Sequence, residues 1–116
     1  MLDFSKKVIA IDFDGCICEN KWPGCGRPNM DVIREAIRER KNGTKLILWS
    51  CRTGEDLTEA VRYCKRFGLE FDAVNDNVPE RTDDYMNSCR KVWADEYWDD
   101  RAVLKKYSPP GSEVQT

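Results

Sequence analysis

The chain alternates short apolar runs with longer stretches in which apolar positions return every three or four residues. Residues 8–15 read VIAIDFDG: four apolar residues, then two acids one residue apart, then a glycine. A continuous apolar run bounded by a turn signal marks a strand covered on both faces, as in a parallel sheet. If the chain is still extended at Asp12 and Asp14, the period of two sets both carboxylates on one side, roughly 6–7 Å apart. Gly15 then allows a sharp turn. Two anions that close repel each other unless a cation or a shared proton lies between them, so the stretch asks for a metal.

The remaining elements follow from the same patterning. Residues 16–29 carry two prolines, two glycines and two asparagines, a loop composition. In residues 30–43 Val32, Ile33, Ala36 and Ile37 recur at helical spacing, with Asn29 as the expected N-cap and Asn42-Gly43 as the stop. TKLILWS, residues 44–50, repeats the first strand's pattern and ends in Ser50. A turn with Thr53 or Gly54 as cap leads into a second amphipathic helix over 55–68, with Leu57, Ala60, Val61, Cys64 and Phe67 on its apolar face. FDAVN, 71–75, is a short third strand, 81–91 a short helix, and VWADEYWDD, 92–100, the last strand, ending in Asp99 and Asp100. This order predicts an α/β fold: one Rossmann-like domain over 1–107, a mainly parallel sheet flanked by helices and joined by right-handed crossovers. Residues 108–116 lack periodicity and read as a flexible tail.

Composition narrows the chemistry. At 116 residues with 41% apolar residues the chain supports one core. A net charge of −2 gives no basic footprint for nucleic acid. The first apolar run ends at Asp12 after four residues, too short for a signal peptide or a membrane span. A cytoplasmic protein is expected, and its six cysteines, at 16, 18, 25, 51, 64 and 89, should stay reduced. Cys16, Cys18 and Cys25 lack zinc-site spacing, and histidine is absent. That absence removes every Ser-His, Cys-His and phosphohistidine mechanism.

In open parallel sheets ligands bind outside the carboxyl ends of the strands. Asp12/Asp14, Ser50 and Asp99/Asp100 all follow apolar runs at that edge, so they converge on one pocket. Carboxylates of this kind suit Mg²⁺, which takes a few acids together with substrate phosphate, and the chemistry that follows is phosphoryl transfer. Arg52, two residues after Ser50, is a candidate for an anion contact because guanidinium binds phosphate bidentately. A solvated turn arginine is the equal alternative. Trp22, in the loop after the first acids, either walls the site or packs, and packing is the favoured reading.

IDFDGC resembles the D-x-D-x-[TV] first motif of the haloacid dehalogenase-like phosphohydrolases. LILWS is similar to their second motif, and EYWDD to their acidic fourth, so that residues 7–101 resemble a small capless member. The resemblance implies an Mg²⁺-dependent phosphatase working through an aspartyl-phosphate. In it Asp12 is nucleophile and metal ligand. Asp14 is acid to the leaving group and then base for water, with its backbone carbonyl on the metal. Ser50 binds the phosphoryl group, and Asp99, with Asp100 beside it, holds Mg²⁺. Cys16 departs from the motif's Thr or Val. Lys91 is the natural third-motif lysine, but an extended strand from 91 to 99 would carry it roughly 26 Å away, so it reaches the phosphate only if the chain bends near Ala94-Asp95; otherwise it is a surface lysine. About fourteen residues separate Gly15 from the first helix, too few for a cap domain. The site is therefore expected to be open unless a partner subunit, as in a homo-oligomer, covers it. Two other readings stand beside this one: a receiver-like phosphoacceptor domain and a catalytically idle binding module.

Overall fold

The computed structural model describes residues 3–81 and 92–101. Four strands, β1 (Val8–Ile11), β2 (Lys45–Leu48), β3 (Ala73–Val74) and β4 (Glu96–Trp98), form one sheet in the order β3-β2-β1-β4, and every pairing is parallel. Two helices, α1 (Met30–Lys41) and α2 (Gly54–Arg66), connect the first three strands. This is the expected Rossmann-like α/β architecture.

All four residues of β1 are fully buried, as an uninterrupted apolar run requires. Ile9 and Ile11, with Leu46 and Leu48 of β2, face Ile33 and Ala36 of α1 and Ala60, Tyr63 and Cys64 of α2. Val8, Ala10 and Ile47 point the other way, onto Val78 and Val92. Strand periodicity thus distributes one sequence run over two cores.

Because the chain steps from β1 to β2 to β3 in one direction and returns to place β4 on the far side of β1, the strand order reverses between β1 and β4. At such a switch point the connections diverge and leave a crevice at the strands' carboxyl ends. Register sets what lines it. Ile11 pairs with both Leu48 and Trp98, and Leu48 with Val74, so Asp12, Trp49, Asn75 and Asp99 all emerge at one level.

Two elements differ from expectation. The last strand covers Glu96–Trp98 rather than 92–100; just before it the Asp95 N–H still donates to the Val8 carbonyl at 2.7 Å, but the Val8 N–H goes to the Asp95 carboxylate at 2.8 Å instead of a strand carbonyl, and that carboxylate also accepts an Arg81 N–H at 3.1 Å. Residues 92–95 therefore do not belong to the strand. Asn29 does cap α1, but its side chain donates to the Cys16 carbonyl at 3.1 Å rather than closing the helix's own first turn. A short 3₁₀ turn spans Pro79–Arg81. Of the helix expected over 81–91, Arg81 closes the 3₁₀ turn and the rest, with Cys89 and Lys91, lies outside the described residues, as does the tail from 108. No helix among the described residues is long and apolar enough to cross a membrane.

Candidate active site at the β1–β4 switch point

Asp12, Asp99 and Asp100 each offer a carboxylate oxygen, and these atoms all lie within 4.8 Å of one another. Backbone pairing enforces the approach. The Asp12 N–H donates to the Trp98 carbonyl at 2.9 Å, which fixes the end of β1 against the end of β4. Gly15 completes the fit. Its φ of +87° turns the chain back, and a Cβ built there would stand 2.6 Å from Asp100 Oδ2, so the turn both needs glycine and leaves room for the acid.

Asp14 is turned elsewhere. Arg52 holds it bidentately, Nε donating to Oδ2 at 2.9 Å and Nη2 to Oδ1 at 2.7 Å. The guanidinium also donates to the carbonyls of Pro23 at 2.9 Å and Gly24 at 2.6 Å, with a longer contact to Asp56 at 3.5 Å, and lies over the Phe13 ring at 4.9 Å. All five of its N–H groups therefore have acceptors inside the chain. Arg52 is 2% exposed, neither the free phosphate ligand nor the solvated turn residue that its position suggested. It ties the first acidic loop to the residues following it. The Asp14 hydrogen bonds raise its own pKa further, so its charge is permanent.

Ser50 stands at the end of β2, at the same edge. Its hydroxyl accepts the Arg52 backbone N–H at 3.1 Å, which leaves the hydroxyl hydrogen as a donor. Its own N–H donates to Asn75 Oδ1 at 2.7 Å. Asn75 follows β3 with a φ of +52°, a left-handed conformation that asparagine tolerates better than most residues. The periodicity of FDAVN carries no sign of this role, and the sequence reading passed over Asn75.

The chain is similar to a conserved protein from Bacteroides thetaiotaomicron of known structure: 38% identity, a TM-score of 0.75, and coverage of 84% of this chain and 78% of that one. The chain belongs to that protein's family. No protein-family model matches the sequence, and no curated protein matches it.

Electrostatics supply the next step. Burial, then the charge of Asp99, pushes Asp12 up to about 6, against 3.8 for an unperturbed aspartate. A group strained in this way gains most from a cation. The donor set also fits one: three carboxylates from two strand ends are hard oxygen ligands on a rigid frame, with coordination positions left for water or a phosphate oxygen. Asp12, Asp99 and Asp100 would hold such an ion, and the Asp14 carboxylate lies outside the group. The thiols do not compete. Cys16, Cys18, Cys25, Cys51 and Cys64 are free, and burial pushes Cys16 and Cys64 up to about 12, so neither is a thiolate at neutral pH.

Gly15→Ala tests the packing of this centre. The added methyl must displace Asp100 and adopt a left-handed backbone, so Mg²⁺ affinity should fall at least tenfold while the helices are retained. Calorimetric titration with Mg²⁺ reads the first and far-ultraviolet circular dichroism the second; unchanged affinity would mean that Asp100 is not a ligand.

Proposed function

We propose that this protein is an Mg²⁺-dependent phosphomonoester hydrolase in which Asp12 is the nucleophile. The observation that carries the reading is the convergence of Asp12, Asp99 and Asp100 oxygens at the sheet's switch point, with the Ser50 hydroxyl at the adjoining strand end. A bound Mg²⁺ supplies charge neutralisation for three acids and a phosphate that would otherwise repel.

An Asp12 carboxylate oxygen bonds to phosphorus as the phosphorus–oxygen bond to the leaving group breaks. The leaving oxygen keeps the bonding electron pair and takes up a proton from Asp14. Water then attacks the aspartyl-phosphate and returns a proton to Asp14, and phosphate departs with the Asp12 carboxylate restored. The Ser50 O–H is suited to hold a non-bridging phosphate oxygen during both displacements. Arg52 holds the Asp14 side chain in place between the two steps.

Asp14→Asn should accordingly form the phosphoryl-enzyme from an activated ester such as p-nitrophenyl phosphate but hydrolyse it slowly. Rapid mixing should record a burst near one equivalent followed by a phase at least a hundredfold slower than wild-type turnover. Steady-state turnover at the wild-type rate would remove Asp14 from the mechanism.

Steady phosphate release separates this reading from its competitors. A hydrolase turns over with Mg²⁺ and is silenced by chelator, a phosphoacceptor domain stops after one equivalent, and an idle module releases nothing.

A further inference from the structure

Attack by Asp12 is in line, so the leaving group departs on the side of phosphorus opposite that residue. The hydrolytic water later enters on that same side. Asp14, which serves the water, therefore marks where the organic part of the substrate lies. Next to Asp14 is an open depression of about 280 Å³, lined by Asp14, Asn20, Trp22, Cys51 and Arg52. That is near the lower end of ligand clefts, roughly 300 Å³, enough for one small group and too little for a folded partner.

The dominant surface in the depression is an indole. Trp22 is 61% exposed, so it does not pack into the fold as the sequence suggested. It nevertheless sits on a tied-down loop. Arg52 grips the Pro23 and Gly24 carbonyls, the Tyr63 hydroxyl donates to the Gly26 carbonyl at 2.7 Å, and the Glu19 N–H donates to the Arg27 carbonyl at 2.8 Å. The Trp22 N–H donates to Asn20 Oδ1 at 3.2 Å, which leaves the Asn20 amide nitrogen with two donors at the same rim. A single exposed aromatic is ordinary on a protein surface. One that sits on a tied-down loop, lines the same depression as Asp14 and has amide donors beside it is a stacking platform with a polar edge.

We propose that the substrate is the phosphate monoester of a nucleoside, its base stacked on Trp22 and its edge acceptors met by Asn20. The proposal rests on the phosphatase reading for the reaction and on the depression alone for the ligand. A π-face is read without regard to base identity, and stacking of one base on an aromatic side chain is a substantial, sequence-tolerant contribution. The same nucleoside phosphate could be a free mononucleotide or the end of a strand. A net charge of −2 disfavours a long footprint on the strand.

Two measurements test the proposal. In the first, wild type, Trp22→Ala and Trp22→Phe are compared on adenosine 5′-monophosphate, ribose 5-phosphate and a 5′-phosphorylated oligonucleotide. Wild type should prefer the nucleotide to ribose 5-phosphate, which lacks only the base, by about tenfold or more in kcat/KM. Trp22→Ala should lose that preference and Trp22→Phe keep part of it. The oligonucleotide arm separates a strand end from a free nucleotide. Equal kcat/KM for the nucleotide and ribose 5-phosphate in wild type, with turnover of both, would overturn the stacking site and leave the phosphatase standing. The second measurement needs no turnover: adenosine 5′-monophosphate, with and without Mg²⁺, should saturably quench the tryptophan fluorescence of Asp12→Asn and not of Asp12→Asn/Trp22→Ala. Quenching in the absence of any ester hydrolysis by wild type supports the nucleoside site while removing the phosphatase reading. No quenching and no preference removes the nucleoside site.

Discussion

Replacing Asp12 with asparagine should abolish phosphate release, by a factor of at least a thousand, and make the metal-free protein more stable. The amide has nearly the same shape as the carboxylate but cannot attack phosphorus. The gain in stability has a separate origin. Asp12 is half-buried and faces Asp99 and Asp100, which raises it to about 6, while the unfolded chain titrates near 3.8. Between those values the folded protein binds more protons than the unfolded one, so stability falls as pH rises through that window and stays low above it. In chelator, wild type should therefore have a higher melting temperature at pH 4.5 than this site permits at pH 7. Asp12→Asn should flatten that part of the profile, and Mg²⁺ should restore the loss at pH 7 in wild type only. Melting curves across pH, with and without Mg²⁺, check each statement. Residual turnover above a hundredth of wild type would remove Asp12 as nucleophile.

Arg52→Ala should cost the fold about 3 kcal/mol or more. Breaking a buried ion pair costs more than the pair contributes, because the remaining charge stays in place uncompensated, roughly 3–5 kcal/mol in such cases. Here the Arg52 side chain is 1% exposed and that of Asp14 19%, and the deletion also frees the Pro23 and Gly24 carbonyls and uncovers Phe13. Lysine recovers only part of this, since an ammonium cannot match the bidentate fork. The exposed pairs of Lys7 with Glu39 and Glu96, whose side chains are 25–43% exposed, set the contrast. Breaking either should cost under about 1 kcal/mol. Urea denaturation of Arg52→Ala, Arg52→Lys and Lys7→Ala reads all three, and a loss below about 1 kcal/mol for Arg52→Ala would mean that the clamp is dispensable. Turnover should fall with the clamp, because Asp14 loses the group that orients it.

Much of this was legible in the chain, for a reason visible in β1. A strand buried on both faces has to be apolar throughout, so the first polar residues after it mark its carboxyl end. The rule finds Asp12 and Ser50 without knowledge of the pairing; Asp99 follows the half-buried edge strand β4, which carries Glu96, and strand order then brings it to Asp12. It fails where a residue's role is set by a distant partner. Arg52 reads as a turn residue because Asp14, 38 positions away, leaves no local trace. Trp22 reads as packing because apolar character says nothing about which loops close over it. The last strand reads too long because the apolar residues Val92, Trp93 and Ala94 extend the pattern ahead of Glu96–Trp98 without joining the strand.

The acids of the cluster belong to the first strand and the last. While the chain is being synthesised, β1 can pair with β2 and receive both helices, yet Asp12 then stands without Asp99 and Asp100, and one carboxylate makes no lasting site for a divalent ion. The centre comes into being when β4 takes its position beside β1. On the proposed reading an incomplete chain would neither hold the metal nor react with phosphates, and an ion bound by Asp12, Asp99 and Asp100 would join the edge strand to the middle of the sheet.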